Sequence, residues 1–308
     1  MIQLHVQPSV PPMKWREFIS GKPEHSIALD GYVSVGPRFN FRGTYGNFNH
    51  HEEVSRLETR ATCAQILLAV RMGLMDAYMG ESGNTEMNIY VNDCDEDVSL
   101  SVFILRNAHL AIGTMNPLLN KLVHIEDMMD TTAGAYPFPK ELESLQEIMW
   151  VLAPYHKFRM GGGLDSRDAG LFEEVIDEVG DRVMSYITGN SRKIELDTRF
   201  TTLGGGEGWS LISEEGQNAR VGVYDKGIRA FVSVRKREDD NWTYVLGRSS
   251  QFVFFPIPVL LKQLNEAEGN KHGDVWGGSD TIAGSPRIAG SKLDPDTVCS
   301  IVDQTLLR

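Results

Sequence analysis

Glu24-His25-Ser26-Ile27-Ala28-Leu29-Asp30-Gly31-Tyr32-Val33-Ser34-Val35 is the stretch on which the fold turns. Its apolar run stops at Asp-Gly, a turn-forming dipeptide, so the pattern predicts a strand that delivers the Asp30 carboxylate at its end. The Gly- and aromatic-rich segment 36–48 reads as a loop leading to Asn49-His50-His51. Beyond it, Thr59 to Met75 places Ile66, Leu67, Val70 and Leu74 at helical spacing. Strand, loop and helix in this order make an α/β unit.

The arrangement recurs downstream. Residues 87–92 read as a second strand, ended by the acidic cluster Asp93-Cys94-Asp95-Glu96-Asp97, with a helix expected over Val98 to Leu110. Ligands of open α/β sheets gather at the carboxyl ends of the strands, so the histidine pair and the acidic cluster are expected to converge there. Further helices are expected over 116–130, 140–153 and 168–188, and a loop over 160–165. From about residue 194 the pattern changes to short strands, Trp209 to Glu214, Ala219 to Tyr224, Ile228 to Arg235 and Trp242 to Gly247. A helix over Pro258 to Glu268 and a glycine-rich segment from Trp276 to Arg287 follow. The expected fold class is therefore α/β: a Rossmann-like, mainly parallel sheet domain over 1–190, then a smaller α+β domain over 205–308. The border falls within 189–206, where Gly189-Asn190 and Gly204-Gly205-Gly206 interrupt the pattern.

A chain of 308 residues can bury two cores without disulfides. Its 42 acidic against 30 basic residues, a formal charge of -12, argue against general affinity for duplex DNA or a membrane surface but leave room for a small anionic substrate. Cys63, Cys94 and Cys299 form no CxxC pair, which fits a reducing, cytoplasmic setting. No signal-peptide pattern and no apolar run of about 18 residues occurs, so a soluble protein is expected, with a homo-oligomer compatible.

Imidazole and carboxylate together suit Mn2+, Mg2+ or Zn2+. The bland alternatives are a surface histidine pair and a solvated acidic turn or lone calcium loop. An EF-hand is disfavoured, because Ile104 stands at the twelfth position counted from Asp93, where that loop needs a glutamate. Glu52 reads as a helix-start or supporting residue, and Phe252-Val253-Phe254-Phe255 as core.

The segment Asp93-x-Asp95-x-Asp97-x-x-x-Ser101-x-x-Ile104-Leu105 resembles the H-x-D-x-D-G-x-x-S-A-x-I-L signature of the DHH superfamily of metal-dependent phosphoesterases. Asn49-His50-His51 is similar to that family's naming Asp-His-His motif, and Asp30 resembles the carboxylate that precedes it. Val232-Ser233-Val234-Arg235, Gly247-Arg248 and Gly277-Gly278-Ser279 resemble parts of the DHH-associated domain and its Gly-Gly-His loop. The resemblance implies that Asp30, His50, His51, Asp95, Asp97 and Asp130 hold one or two Mn2+ or Mg2+ ions, with Asp127 the rival of Asp130. It implies His50, His51 and Asp95 as the catalytic set. Arg235, Arg248, Gly277, Gly278, Ser279 and Arg287 would bind the substrate, a nucleotide, short oligonucleotide or other small phosphoester, hydrolysed by metal-activated water. Asp93 stands where the family has histidine, Val98 where it has glycine, Asn49 where it has aspartate and Ser279 where it has histidine. Those departures motivate the alternative, a non-catalytic nucleotide- or metal-binding sensor or interaction protein on the same fold.

Overall fold

Ser26 to Leu29 form a strand buried along its whole length, which explains why this run lacks the polar alternation of a half-exposed strand. Residues 1–308 are described in this computed structural model except 43, 114, 115, 270–272 and 308. Contacts divide the chain into two compact units, Met1–Met128 with Glu143–Ile194, and Met129–Leu142 with Glu195–Arg308.

The elements run β1 (Ile2–Val6), α1 (Trp15–Gly21), β2 (Ser26–Leu29), β3 (Arg38–Asn40), β4 (Tyr45–Phe48), α2 (Thr62–Arg71), α3 (Leu74–Ala77), β5 (Met87–Val91), α4 (Glu96–Arg106), α5 (Pro117–Asp130), α6 (Glu143–Met160) and α7 (Ala169–Ile187). The sheet of the first unit has the order β1-β5-β2-β4-β3, parallel from β1 to β4 with β3 antiparallel at one edge. It is thus a mixed sheet. Register places Ala28 beside Tyr90 and Ile27 beside Ile89. Ala28 and Tyr90 join Phe18, Tyr32, Val33 and Tyr45 in an aromatic-rich core on one face. On the other face lie Ile27, Leu29, Ile89 and Val91, all fully buried. Among the helices, α2 packs against α4, α4 against α7, and α7 against α6.

The expected loop over 36–48 instead contains β3 and the parallel strand β4. Tyr45-Gly46-Asn47-Phe48 has no period of its own; pairing with β2 makes it a strand. Other boundaries shift modestly. The helix expected from Thr59 begins at Thr62 and breaks at Gly73, whose φ of 96° leads into α3. The stretch expected as a loop over 160–165 includes a 3-10 turn at Gly163–Ser166.

The second unit carries β6 (Phe200–Gly206), β7 (Trp209–Glu214), α8 (Ala219–Asp225), β8 (Ala230–Lys236), β9 (Trp242–Arg248), α9 (Ile257–Glu268), β10 (Gly277–Gly278), β11 (Ile282–Gly284) and α10 (Pro295–Leu306). Its sheet, β10-β11-β9-β8-β7-β6, is antiparallel apart from the parallel pair β7 and β8. That parallel pair demands a crossover, and α8 supplies it, so the strand expected over Ala219 to Tyr224 is a helix. The same residues satisfy helical spacing as well, Ala219 with Val223 and Val221 with Tyr224, all buried. Phe255 is fully buried, but Phe252 and Phe254 are 79% and 68% exposed, which corrects the expectation that the run is core. Among the described residues no helix is long and apolar enough to cross a membrane.

Ile27, fully buried in β2 between β4 and β5, is the position whose truncation tests this core. Ile27→Ala is expected to lower stability by about 2–5 kcal/mol, read as a shift in the urea midpoint with far-UV circular dichroism unchanged before the transition.

Candidate metal centre

Parallel pairing of β5, β2 and β4 sets three chain exits on one sheet edge: Asp93 to Asp97 after β5, Asp30 after β2, and Asn49-His50-His51 after β4. The Asp30 N–H donates to Phe48 O at 2.9 Å, extending the ladder to the first functional residue. The chain then turns sharply, with Asp30 at φ 46° and Gly31 at φ 80°. Aspartate tolerates that left-handed conformation better than most side chains. The turn leaves the Asp30 carboxylate buried at the edge.

Asp97 sits in the first turn of α4 and is likewise buried. Its Oδ2 accepts the Thr62 N–H and its Oδ1 the Cys63 N–H, both at 2.6 Å, so it caps the start of α2 from another helix. A carboxylate is favoured there by the unsatisfied N–H groups and the positive end of the helix dipole. Thr62 completes the link by donating its hydroxyl to Asp30 Oδ1 at 2.9 Å. The only signal Thr62 carries in the sequence is its place at a helix start, following Ala61.

The two imidazoles differ in distance, and the difference separates their roles. His51 Nε2 lies 3.0 Å from Asp30 Oδ1, an ordinary hydrogen bond. His50, fully buried, holds Nε2 at 3.4 Å from Asp30 Oδ1 and 3.5 Å from Asp97 Oδ2. Ligand atoms bound about 2.1 Å from one ion in tetrahedral or octahedral geometry stand roughly 3.0–3.4 Å apart. The spacing from His50 Nε2 to either carboxylate is therefore that of two ligands on one divalent cation. Asp30, His50 and His51 each offer a ligand atom within 4.8 Å of one another.

Electrostatics agree with that fit. Burial raises the Asp30 carboxyl, but the imidazoles of His51 and His50 more than reverse this and hold it well below the usual carboxylate range. Burial, then the negative charges of Asp30, Asp93, Glu96 and Asp97, push Asp95 well above that range. Crowded acids of this kind are what a cation relieves. Asp95 is also the N-cap of α4, its Oδ1 accepting the Val98 N–H at 2.9 Å.

Of the two rival acidic residues expected here, Asp127 has visible structural work. Asp127 accepts the Ala61 N–H at 2.7 Å and pairs with Arg60 at 3.2 Å, both at the entrance to α2. Asp130 ends α5 and belongs to the second unit. Asn49, expected as a stand-in for aspartate, is fully buried and uses its amide. Its Oδ1 accepts the His51 N–H at 3.0 Å, which fixes the amide's orientation, and its Nδ2 faces Val33 O, Val35 O and Glu52 Oε2 at 3.3, 3.0 and 2.6 Å. A carboxylate has no hydrogen to donate to those acceptors.

In the second unit, Arg248 is buried and donates to main-chain oxygens of Asp280 at 2.6 Å, Gln251 at 3.3 Å and Val253 at 3.1 Å. It braces two loops. Gly278, at φ 144°, is required by the β10–β11 hairpin, since a Cβ there would stand 2.4 Å from Ala283 Cα. Ser279 Oγ accepts the Ile282 N–H at 3.2 Å within the same turn, while Gly277 has open space at its Cα. Arg235 and Arg287 are exposed.

No protein-family model and no curated protein matches this sequence.

Asn49→Asp is expected to destabilise the protein by at least about 1–3 kcal/mol, measured by chemical denaturation, because it turns a donor into a buried acceptor facing three acceptors. A second expectation concerns Glu96, whose Oε1 lies 2.7 Å from His156 Nε2. Burial raises its carboxyl, but His156 and Arg159 outweigh this and leave it lowered. Its contribution to stability is then present above the ordinary glutamate value of 4.5 and is lost as pH falls through the lower folded value. The stability gap between wild type and Glu96→Gln should narrow as denaturation is repeated at successively lower pH in that acid window.

Proposed function

We propose that the chain is a metal-dependent hydrolase of phosphoester bonds in a nucleotide, a short oligonucleotide or another small phosphoester. The observation that carries this reading is the buried His50 Nε2, 3.4 Å from Asp30 Oδ1 and 3.5 Å from Asp97 Oδ2. In this reading the four parallel strands form a Rossmann-like core, the second unit is DHH-associated in kind, and the setting is cytoplasmic.

Asp30 and His50 would hold Mn2+ or Mg2+, with Asp95 and Asp97 beside them. The chemistry such ions supply when bound is acidity for a water near neutral pH and positive charge for a transferring phosphoryl group. The chain's own residues prepare for it. Asp97 is held still by the two N–H groups at the start of α2, and Asp30 by the Thr62 hydroxyl and His51. Ligands oriented in this way lose little freedom on binding an ion. Asn49 shapes the loop that carries both histidines, and its buried amide is compatible with a working site.

Hydrolysis of bis(p-nitrophenyl) phosphate with added Mn2+, together with metal content of the purified protein, tests the proposal. His50→Ala and Asp30→Asn are each expected to lose stoichiometric Mn2+ and more than about 100-fold of the turnover, since even outer partners of metal ligands are worth 10–100-fold. Turnover unchanged in both variants would sink the proposal. Stoichiometric metal without turnover on any phosphoester would favour the non-catalytic binder.

A further inference from the structure

The Arg56 guanidinium lies against the candidate centre from the loop that follows the histidine pair. Arg56 is 3% exposed, and its Nη2 stands 2.8 Å from His51 Nδ1. Arginine carries only donors and keeps its protons at any physiological pH. The contact is therefore a hydrogen bond only if Nδ1 presents its lone pair. The one ring hydrogen then resides on Nε2, which faces Asp30 Oδ1 at 3.0 Å. Asp30, acceptor-only when ionised, completes the chain Arg56 → His51 → Asp30, in which each of the two contacts pairs a donor with an acceptor.

We infer that Arg56 is a positioning residue that locks His51 in the Nε2–H tautomer, so that His51 orients Asp30 as a hydrogen-bond donor and is not itself a metal ligand. The position of His51 as a ligand, implied by resemblance, gives way on this inference to His50 alone. A nitrogen that carries hydrogen has no lone pair in the ring plane for a cation, and the other nitrogen is taken by Arg56. The distances separate the two rings in the same sense: 3.0 Å from His51 to Asp30, against 3.4 and 3.5 Å from His50 to its two carboxylates. Gly31 abuts the oriented ring: a Cβ there would lie in ordinary contact, 3.5 Å from His51 Cδ2, and glycine is favoured by the φ of 80° rather than by lack of space. The tautomer stands independently of the proposed activity, whereas the division of ligand roles rests on it.

Two-bond 15N–1H correlation spectra of the 15N-labelled full chain, in chelator without metal, read the tautomer directly, with His51→Gln assigning the ring. Wild type is expected to show the Nε2–H neutral pattern for His51. Arg56→Lys, which keeps a pure donor, should retain it. Arg56→Gln, whose amide oxygen can accept, should lose the fixed pattern and admit Nδ1–H. An Nδ1–H pattern in wild type, or an Arg56→Gln spectrum identical to wild type, overturns the inference. Should Arg56→Gln fail to fold by circular dichroism, the wild-type and Arg56→Lys spectra decide alone. Mn2+ stoichiometry gives the second arm: His51→Gln, still able to donate to Asp30, keeps wild-type metal while His50→Gln loses it, and equal loss in both overturns the ligand assignment. A wild-type chain that binds no Mn2+ defeats the proposed activity but leaves the tautomer result intact.

Discussion

Capping of α2 by Asp97 is the interaction on which the candidate centre depends. One carboxylate closes two N–H groups of a neighbouring helix, and those N–H groups in turn hold both of its oxygens in place. The strand ends around it share one edge because β5, β2 and β4 are parallel, and a parallel sheet must send its crossovers over the faces. The edge therefore gathers Asp30, His50 and Asp97 without distorting the sheet. Thr62 ties the arrangement together, its N–H on Asp97 and its hydroxyl on Asp30.

Around that cap, neighbouring polar residues divide into those with ligand-like spacing and those that brace them. Hydrogen-bond logic makes the division: Asp127 is engaged at the entrance to α2, Asp95 caps α4, and Asn49 presents an amide to acceptors that would repel a carboxylate. Asn49 illustrates why a motif position can change chemistry without loss of the site. An aspartate there and an asparagine there solve different hydrogen-bonding problems, and this loop poses the asparagine's problem.

Legibility in the sequence was uneven for physical reasons. Asp30 was readable because an apolar run ending in Asp-Gly has few other interpretations, and His50 with His51 because adjacent imidazoles are rare in cores. Arg56 and Thr62 were not, since an arginine in a charged loop and a threonine at a helix start look like ordinary surface and capping residues. In the second unit, Arg248 resembled a phosphate ligand but braces main-chain carbonyls, and Gly278 answers to the close approach of Ala283. Ala219 to Tyr224 fits both the strand and the helix periods, so only the need to join the parallel strands β7 and β8 selects the helix.

Sequence alone determined the α/β character, the change of pattern near residue 194, and the identity of most polar residues now found at the sheet edge, because composition and period are local properties. Tertiary structure alone decided which of them meet. Strand order, the pairing that turns Tyr45 to Phe48 into a central strand, and the distances that distinguish His50 from His51 are set by contacts between residues far apart in the chain. Such contacts leave no periodic trace, since a buried carboxylate facing a helix start and one facing solvent are spelled by the same residue.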